Sequence, residues 1–227
     1  MANDDTWVII PVYNEAAVVA RVVEELRPIF PNVVCIDDGS TDGSAQQITS
    51  TGAHLVRHPI NMGQGAALQT GLSYALARPG GQYFVTFDAD GQHQVTDAAH
   101  MVRLARTESV DVVLGSRFLD SQSRIPLLKR VVLGLVVALS PATRRMGLTD
   151  AHNGLRVFNR AVAEQLRIKM NDMAHASEIV SQLARMSWTV REVPVTIRYT
   201  QYSRSKGQSL INGVNILFDL SVRNNQR

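Results

Sequence analysis

Two aspartates at the end of an apolar run are the residues of this chain best suited to bind a metal ion. Asp88 and Asp90 follow the apolar residues 84–87, and Gln92 comes two residues later. Mg²⁺ and Mn²⁺ prefer hard oxygen ligands, and a cation that shares its coordination with a diphosphate needs only one or two carboxylates from the protein. The pattern therefore predicts a Mg²⁺ or Mn²⁺ site at Asp88, Asp90 and Gln92. His93 is interpreted as a polar loop residue.

Two further polar clusters also follow apolar runs. Tyr13 and Glu15 come after the first run of the chain, and Asp37 and Asp38 come after the second. A tyrosine ring can stack on a base, and carboxylates can accept from ribose hydroxyls or from an imide N–H. The alternative is local: Asn14 caps a helix, Glu15 favours its positive end, and the two aspartates form a turn.

A segment of small residues precedes the third helical pattern. It contains Asn61, Gly63 and Gly65. Small residues let the backbone approach a bound nucleotide, and a helix N-terminus favours anionic phosphates. The spacing does not match a dinucleotide fingerprint, because the glycine after Gly65 is Gly71, not the third residue on. This spacing argues against a nicotinamide enzyme.

Cations and candidate bases lie in the second half of the chain. Arg117 follows the fifth apolar run, and Arg204 and Lys206 share a late loop that is suited to clamping phosphates or is simply a solvated basic loop. Three side chains are candidates for a general base: Asp150, His152 and Glu178. Glu178 either orients an acceptor or favours the start of a helix.

Size and composition narrow the class of protein. A chain of 227 residues with 45% hydrophobic residues suits one folded domain, and a net charge of +3 is too small and diffuse to indicate nucleic-acid binding. A single cysteine, Cys35, excludes an intrachain disulfide and a cysteine-based metal site. The N-terminus does not resemble a signal peptide, and the apolar residues 131–139 are too few to span a bilayer. We therefore expect a cytoplasmic protein that touches the membrane.

Apolar strand-like runs alternate with helical patterns in the first half. The predicted strands are 7–10 (stopped by Pro11), 33–36, 53–57, 83–87 and 110–114. Such alternation predicts an α/β fold with a mixed, mostly parallel sheet flanked by helices. Ligands bind at the carboxyl ends of the strands in these sheets, so the three polar clusters are expected to converge on one edge.

The second half is less regular. We expect an interfacial helix at 127–139, a loop that leads to 153–158, helices near 161–166 and 176–186, and a strand at 189–199. An amphipathic helix at 208–227 ends the chain.

Four motifs carry a family resemblance. They occur in this order: Pro11-Val12-Tyr13-Asn14-Glu15, Asp37-Asp38-Gly39-Ser40-Thr41-Asp42-Gly43-Ser44, Asn61-Met62-Gly63-Gln64-Gly65-Ala66 and Asp88-Ala89-Asp90-Gly91-Gln92. Together they resemble the family 2 inverting glycosyltransferases of the GT-A nucleotide-sugar fold.

Later motifs resemble one branch of that family, the dolichol-phosphate mannosyltransferases and polyprenyl-phosphate glycosyltransferases. They are Val113-Leu114-Gly115-Ser116-Arg117, Asn153-Gly154-Leu155-Arg156-Val157-Phe158 and Glu192-Val193-Pro194-Val195. Ser205-Lys206-Gly207 is similar to the branch's late basic loop, in which Gly usually precedes Ser-Lys. The resemblance covers about residues 6–210.

The resemblance implies a role for each candidate residue. The nucleotide-sugar set is Pro11, Tyr13, Glu15, Asp37, Asp38, Asn61, Gly63, Asp88, Arg204 and Lys206. The metal set is Asp88, Asp90 and Gln92, and the catalytic set is Asp90, Arg117 and Glu178. It also implies one domain over 1–227, with a nucleotide-sugar half (about 6–120), an acceptor half (about 121–210) and the C-terminal helix (208–227).

The implied reaction is the metal-dependent transfer of a sugar, with inversion, from a nucleotide-sugar donor to a polyprenyl phosphate. Members of the branch often continue into transmembrane helices. Here the final helix is expected to lie on the inner face of the membrane or to dock a small membrane protein. The alternatives are transfer to a hydroxyl of a cell-wall polysaccharide or glycolipid, a sugar nucleotidylyltransferase, and a non-catalytic nucleotide-sugar-binding subunit.

Overall fold

A sheet of seven strands is the framework of the structure, a computed structural model that describes residues 3–119, 140–150, 152–171 and 174–198. The strands are β1 (Thr6–Val12), β2 (Asn32–Asp37), β3 (His54–Arg57), β4 (Tyr83–Thr86), β5 (Val112–Ser116), β6 (Arg156–Asn159) and β7 (Val190–Pro194). Their order is β3-β2-β1-β4-β6-β5-β7. β6 runs antiparallel to β4 and β5, and the other described pairs are parallel.

Helices cover both faces of this sheet, as the alternating pattern predicts. They are α1 (Val19–Leu26), α2 (Ser44–Ser50), α3 (Gln64–Leu76), α4 (Val95–Thr107), α5 (Pro141–Arg145), α6 (Arg160–Gln165) and α7 (His175–Ala184). α1, α2 and α4 share one apolar core with the sheet, whereas α3, α6 and α7 share the other. α4 is not among the helices predicted from the sequence, because two of its four buried positions are only alanines.

β1 shows why the strands read as continuous apolar runs. Val8, Ile10 and Val12 belong to the core beneath α1 and α4, whereas Trp7 and Ile9 belong to the core beneath α3. Successive side chains of a strand point to opposite faces, so a strand covered on both sides needs an apolar residue at every position.

Pro11 does not end β1, contrary to the sequence prediction. The strand continues to Val12 and pairs with β2 from Trp7 to Val12. The ladder with β4 covers only Thr6 to Ile9. Pro11 therefore lies where one side of β1 has no described ladder to break, which is where a sheet tolerates proline.

β6 is the strand that the sequence pattern does not assign. It lies between β4 and β5, with Arg156 opposite Thr86 and Leu114. Because β6 is antiparallel, it begins at the edge where its neighbours end. Arg156 therefore enters the sheet beside the residues that follow β4. The predicted strand at 189–199 is shorter, since its ladder with β5 ends at Pro194.

Several predictions concern segments outside the described residues. These are the helices at 127–139 and 208–227 and the basic loop with Arg204 and Lys206. Within the part of the chain that the structure describes, no helix is long and apolar enough to cross a membrane.

Candidate active site

The loops after β1 and β2 are tied together at the carboxyl edge of the sheet. The N–H of Asn14 donates to Ser40 Oγ (3.0 Å), and Asn14 Oδ1 accepts from the N–H of Thr41 (2.9 Å). The N–H of Glu15 donates to Ser44 Oγ (2.9 Å). Asn14 adopts a left-handed backbone (φ 54°), which asparagine tolerates. It joins two loops and does not cap α1.

Tyr13 stands at the surface of these joined loops. Its side chain is 47% exposed, whereas Pro11 and Glu15 are partly buried. An exposed ring beside buried carboxylates has the features that the predicted nucleoside site requires. The nucleoside roles of these three residues stay predictions.

Asp37 and Asp38 hold the protein's own loops. Asp37 accepts from the N–H of Ser40 (3.0 Å) and from Arg57 Nε (3.1 Å). Asp38 lies 2.7 Å from His58 Nδ1 and accepts from the N–H of Met62 (2.9 Å) and of Gly63 (2.8 Å). A carboxylate has about four accepting sites, so most of those on Asp38 are occupied within the fold.

Gly63 and Gly65 leave space for the backbone of residues 170–171. A Cβ on Gly63 would lie 2.4 Å from the carbonyl oxygen of Asn171, and one on Gly65 would lie 1.9 Å from that of Met170. The Gly65 N–H donates to Asn171 O (2.7 Å). The small residues were expected to admit a nucleotide, but here the close backbone belongs to residues 170–171. Asn61 lies in the same segment and is exposed.

Asp88 is fixed by contacts on several sides. Gln64 Nε2 donates to its Oδ1 (3.1 Å), and His93 Nε2 lies 3.0 Å from its Oδ2. Burial opposes ionisation, but the hydrogen bond and charge of His93, with the charges of Arg156 and His175, hold the pKa of Asp88 below its usual range. Asp88 is therefore a carboxylate that stays ionised.

Gly154 supports Asp88 from beneath. A Cβ on Gly154 would lie 2.2 Å from Asp88 Oδ2, and the Gly154 carbonyl accepts from Thr86 Oγ1 (2.6 Å). The residue must be glycine for the carboxylate to keep its place.

Asp90 differs from Asp88 in the direction of its pKa shift. It accepts from the N–H of Gln92 (3.0 Å) and from Gln92 Nε2 (2.7 Å). Burial and the negative charge of Asp88 raise the pKa of Asp90 to about 6. The two carboxylates repel each other, and a divalent cation is the group that relieves this repulsion.

The donor set fits Mg²⁺ or Mn²⁺ that shares its ligands with a diphosphate. Asp88 and Asp90 carry carboxylate oxygens and Gln92 an amide oxygen on one short stretch of chain, and hard cations prefer such ligands. Among the described residues, no three His, Cys, Asp or Glu side chains form a complete metal cluster.

Arg117 follows β5 at the same edge and is paired with Asp150. Its Nε and Nη2 donate to the two carboxylate oxygens (2.6 and 2.8 Å). Burial opposes ionisation, but the charge and hydrogen bonds of Arg117 hold the pKa of Asp150 below its usual range. Glu192 fixes this pair, because it accepts from the N–H groups of Thr149 and Asp150 (2.8 Å each).

All three candidate bases are engaged in the structure. Asp150 is occupied by Arg117. Burial lowers the pKa of His152 to about 4, and its Nε2 lies 3.2 Å from Ser177 Oγ. Glu178 Oε2 accepts from the N–H groups of Lys169 and Met170. The structure therefore places Glu178 against a loop of the protein itself.

Three polar residues were given no site role from the sequence: His93, which was interpreted as a polar loop residue, Asn153 and Arg156. All are buried, and His93 Nδ1, Asn153 Nδ2 and Arg156 Nη1 have no hydrogen-bond partner among the described residues. Buried polar atoms of this kind are typical of a site that a ligand or ordered water completes. The sequence signal that could have indicated a site role was the charge of Arg156 between apolar neighbours.

Comparison with known proteins agrees with these features. A sequence model described as Glycosyl transferase family 2 matches residues 7–167. The UDP-N-acetylglucosamine--dolichyl-phosphate N-acetylglucosaminyltransferase of Methanococcus voltae is 31% identical over 97% of this chain and 96% of its own. The polyprenol monophosphomannose synthase of Mycolicibacterium smegmatis is 27% identical over 93% of this chain and 82% of its own.

A solved structure shares the fold. It is glucosyl-3-phosphoglycerate synthase from Mycobacterium tuberculosis, in complex with Mn²⁺, UDP-glucose and phosphoglyceric acid. The TM-score is 0.71 at 18% identity, over 96% of this chain and 79% of that one. At this identity the likeness concerns the fold.

Proposed function

Since the chain belongs to glycosyl transferase family 2, we propose that it transfers a sugar, with inversion, from a nucleotide-sugar to a polyprenyl phosphate. A phosphate oxygen of the lipid attacks the anomeric carbon, and the bond from that carbon to the diphosphate breaks. The products are a polyprenyl-phosphate sugar and a nucleoside diphosphate.

The observation that carries the proposal is the turn with Asp88, Asp90 and Gln92 at the edge where the loops after β1 and β2 meet. Asp88 and Asp90 would hold Mg²⁺ or Mn²⁺ with the help of Gln92. When bound, the cation neutralises charge that develops on the departing diphosphate. Asp37, Asp38 and the exposed ring of Tyr13 are our candidates for contacts with the nucleoside.

The contacts of the three candidate bases favour a phosphate acceptor over a sugar hydroxyl. A sugar hydroxyl must lose its proton as it attacks, so it requires a base within hydrogen-bond reach. A phosphate monoester is already anionic at pH 7, since its second pKa is about 6. Asp150, His152 and Glu178 are each engaged by other groups, and the phosphate needs none of them.

Arg117 is the described cation that we assign to the phosphates. Its bidentate bond with Asp150 holds the guanidinium in one orientation at the end of β5. Arg204 and Lys206 remain predicted partners for the same phosphates.

A lipid acceptor places the reaction at a membrane surface. The two relatives described above are named for dolichyl-phosphate and polyprenol acceptors. We infer peripheral association with the inner face of the membrane, with a bilayer surface or a small membrane protein as partner.

Transfer of a radiolabelled sugar tests this function. The full chain is incubated with Mn²⁺, a panel of labelled UDP-, GDP- and dTDP-sugars and a polyprenyl phosphate, and the products are partitioned between water and organic solvent. We expect label in the organic phase that is released by mild acid but not by mild alkali. Label only in a water-soluble glycan, when glycan acceptors are supplied, would assign the enzyme to hydroxyl acceptors instead.

A further inference from the structure

A loop of the acceptor half is packed onto the start of α3. This loop, segment 167–171, connects α6 towards α7 and has no regular secondary structure. Its Ile168 N–H donates to Gln69 Oε1 (2.7 Å), and Asn171 O accepts from the Gly65 N–H (2.7 Å). The segment therefore satisfies a free N–H group in the first turn of α3 with its own backbone.

Two side chains of α7 hold segment 167–171 from the other side. Glu178 Oε2 accepts from the N–H groups of Lys169 (2.9 Å) and Met170 (2.8 Å). Gln182, one turn later, accepts from the N–H of Arg167 (3.0 Å) and donates to its carbonyl (2.5 Å). Each side chain makes two bonds to the segment, but only Glu178 bonds to a residue that packs against Gly63 or Gly65.

The start of α3 leads directly to the metal turn. Gln64 lies between the two glycines that segment 167–171 covers, and its Nε2 donates to Asp88 Oδ1 (3.1 Å). His175, at the start of α7, is also close: a Cβ on Gly65 would lie 2.9 Å from its Cβ. Met170 and Asn171 therefore pack against the residues on both sides of Gln64.

We propose that Glu178 is a positioning residue that holds segment 167–171 against Gly63 and Gly65, and so fixes Gln64 on Asp88. The proposal rests on the proposed metal site and gives Glu178 a role in place of general base or catalytic acid. It acts through backbone N–H groups and touches neither donor nor acceptor.

The chemistry of the contact separates this role from a catalytic one. Both N–H groups bond to a single oxygen of Glu178, and a carbonyl oxygen has two lone pairs. Glu178→Gln therefore keeps both bonds, whereas Glu178→Ala loses them. A base or a charged ligand would not survive the change to glutamine.

Mn²⁺ affinity of the full-length variants tests the proposal. We expect Glu178→Ala to weaken Mn²⁺ binding about tenfold or more, the usual effect of losing a residue that orients a metal ligand. Glu178→Gln is expected to stay within about threefold of the wild type on the same grounds. Gln182→Ala is the matched control, because it removes two bonds to Arg167, at the end of the same segment that lies away from Gly63 and Gly65. It should lower Tm comparably and leave the affinity unchanged.

Hydrogen exchange of residues 61–65 gives a readout that does not depend on metal. Faster exchange there in Glu178→Ala, but not in Gln182→Ala or Glu178→Gln, supports the proposal. Equal exchange and equal affinity in the two alanine variants would overturn it, as would a Glu178→Gln variant as impaired as Glu178→Ala. If the wild type bound no Mn²⁺, the proposed function would be wrong. The exchange pattern of residues 61–65 would still show whether Glu178 holds segment 167–171 in place.

Discussion

Two acidic regions lie at the same edge of the sheet, and burial is accompanied by opposite pKa shifts in their aspartates, Asp90 and Asp150. In the turn at 88–92, Asp90 lies beside Asp88, and burial with this like charge raises the pKa of Asp90 to about 6. After β5, Asp150 is paired with Arg117, and its pKa is lowered although it is buried. In the turn two carboxylates act on each other, whereas Asp150 is bound by an arginine at both of its carboxylate oxygens. We therefore propose the turn as the place for a metal ion and the ion pair as a support that orients Arg117.

The largest expected effect is on the turn. Asp90→Asn should reduce transfer at least about 10³-fold, because the charge that holds the metal at the leaving diphosphate is lost. It should not lower Tm in the presence of a chelator, since it removes a charge that the fold disfavours. Initial rates and thermal melts on the same preparation check this. A large fall in Tm together with the loss of transfer would show that Asp90 serves the fold.

Breaking the ion pair between Arg117 and Asp150 should lower Tm, which Asp90→Asn should not do. Asp150→Asn leaves the guanidinium of Arg117, whose side chain is 13% exposed, without its charged partner. Breaking a buried pair costs about 3–5 kcal/mol, which lowers Tm by roughly 10 °C in a chain of this size. Thermal unfolding measures this change. Leu119→Ala, at an exposed position, is the control and should leave Tm nearly unchanged.

Gly154→Ala should weaken metal binding, with a smaller loss than Asp90→Asn causes. A methyl group there would lie 2.2 Å from Asp88 Oδ2, so the carboxylate must move. We expect Mn²⁺ affinity to fall about tenfold to a hundredfold. Gly80→Ala is the matched control, because its left-handed backbone costs stability but no atom lies within 4 Å of the added methyl. If both variants bound Mn²⁺ equally, Gly154 would not position Asp88.

The pH dependence of the ion pair should be the smallest effect. The folded-state pKa of Asp150 is depressed, so its stabilisation is complete above the unfolded-state pKa of about 3.9 and is lost as the pH falls through the lower folded-state pKa. The Tm difference between wild type and Asp150→Asn should therefore be constant from about pH 5 to 7 and shrink below about pH 4. A difference that persisted unchanged at low pH would mean that packing, not charge, holds Asp150.

The first half of the fold could be predicted because its signals are local. The interiors of β1, β2 and β4 are mostly apolar (residues 7–10, 33–36 and 84–85), since both faces of the sheet are covered, and polar residues follow within two positions of each strand end. The family resemblance, the α/β sheet and the glycosyltransferase activity are confirmed. The domain division and the individual site roles stay predictions.

The remainder could not be predicted because it depends on contacts between distant segments. Arg156 is a charge in a short apolar stretch until β6 is placed between β4 and β5. Gly63 and Gly65 resemble a nucleotide loop until residues 170–171 are found against them. Glu178 could be a base or a helix-start residue by sequence, and only the N–H groups of Lys169 and Met170 show what it binds.

Titration of Mn²⁺ in the presence of a nucleoside diphosphate, followed by electron paramagnetic resonance, tests the central claim most directly. The wild type, Asp90→Asn and Asp150→Asn are compared at pH 7.5 and at a temperature where all three are folded. We expect Asp90→Asn to bind at least about a hundredfold more weakly, as a lost metal ligand requires, and Asp150→Asn to stay near the wild type. Wild-type affinity in Asp90→Asn would contradict the assignment of the turn as the metal centre.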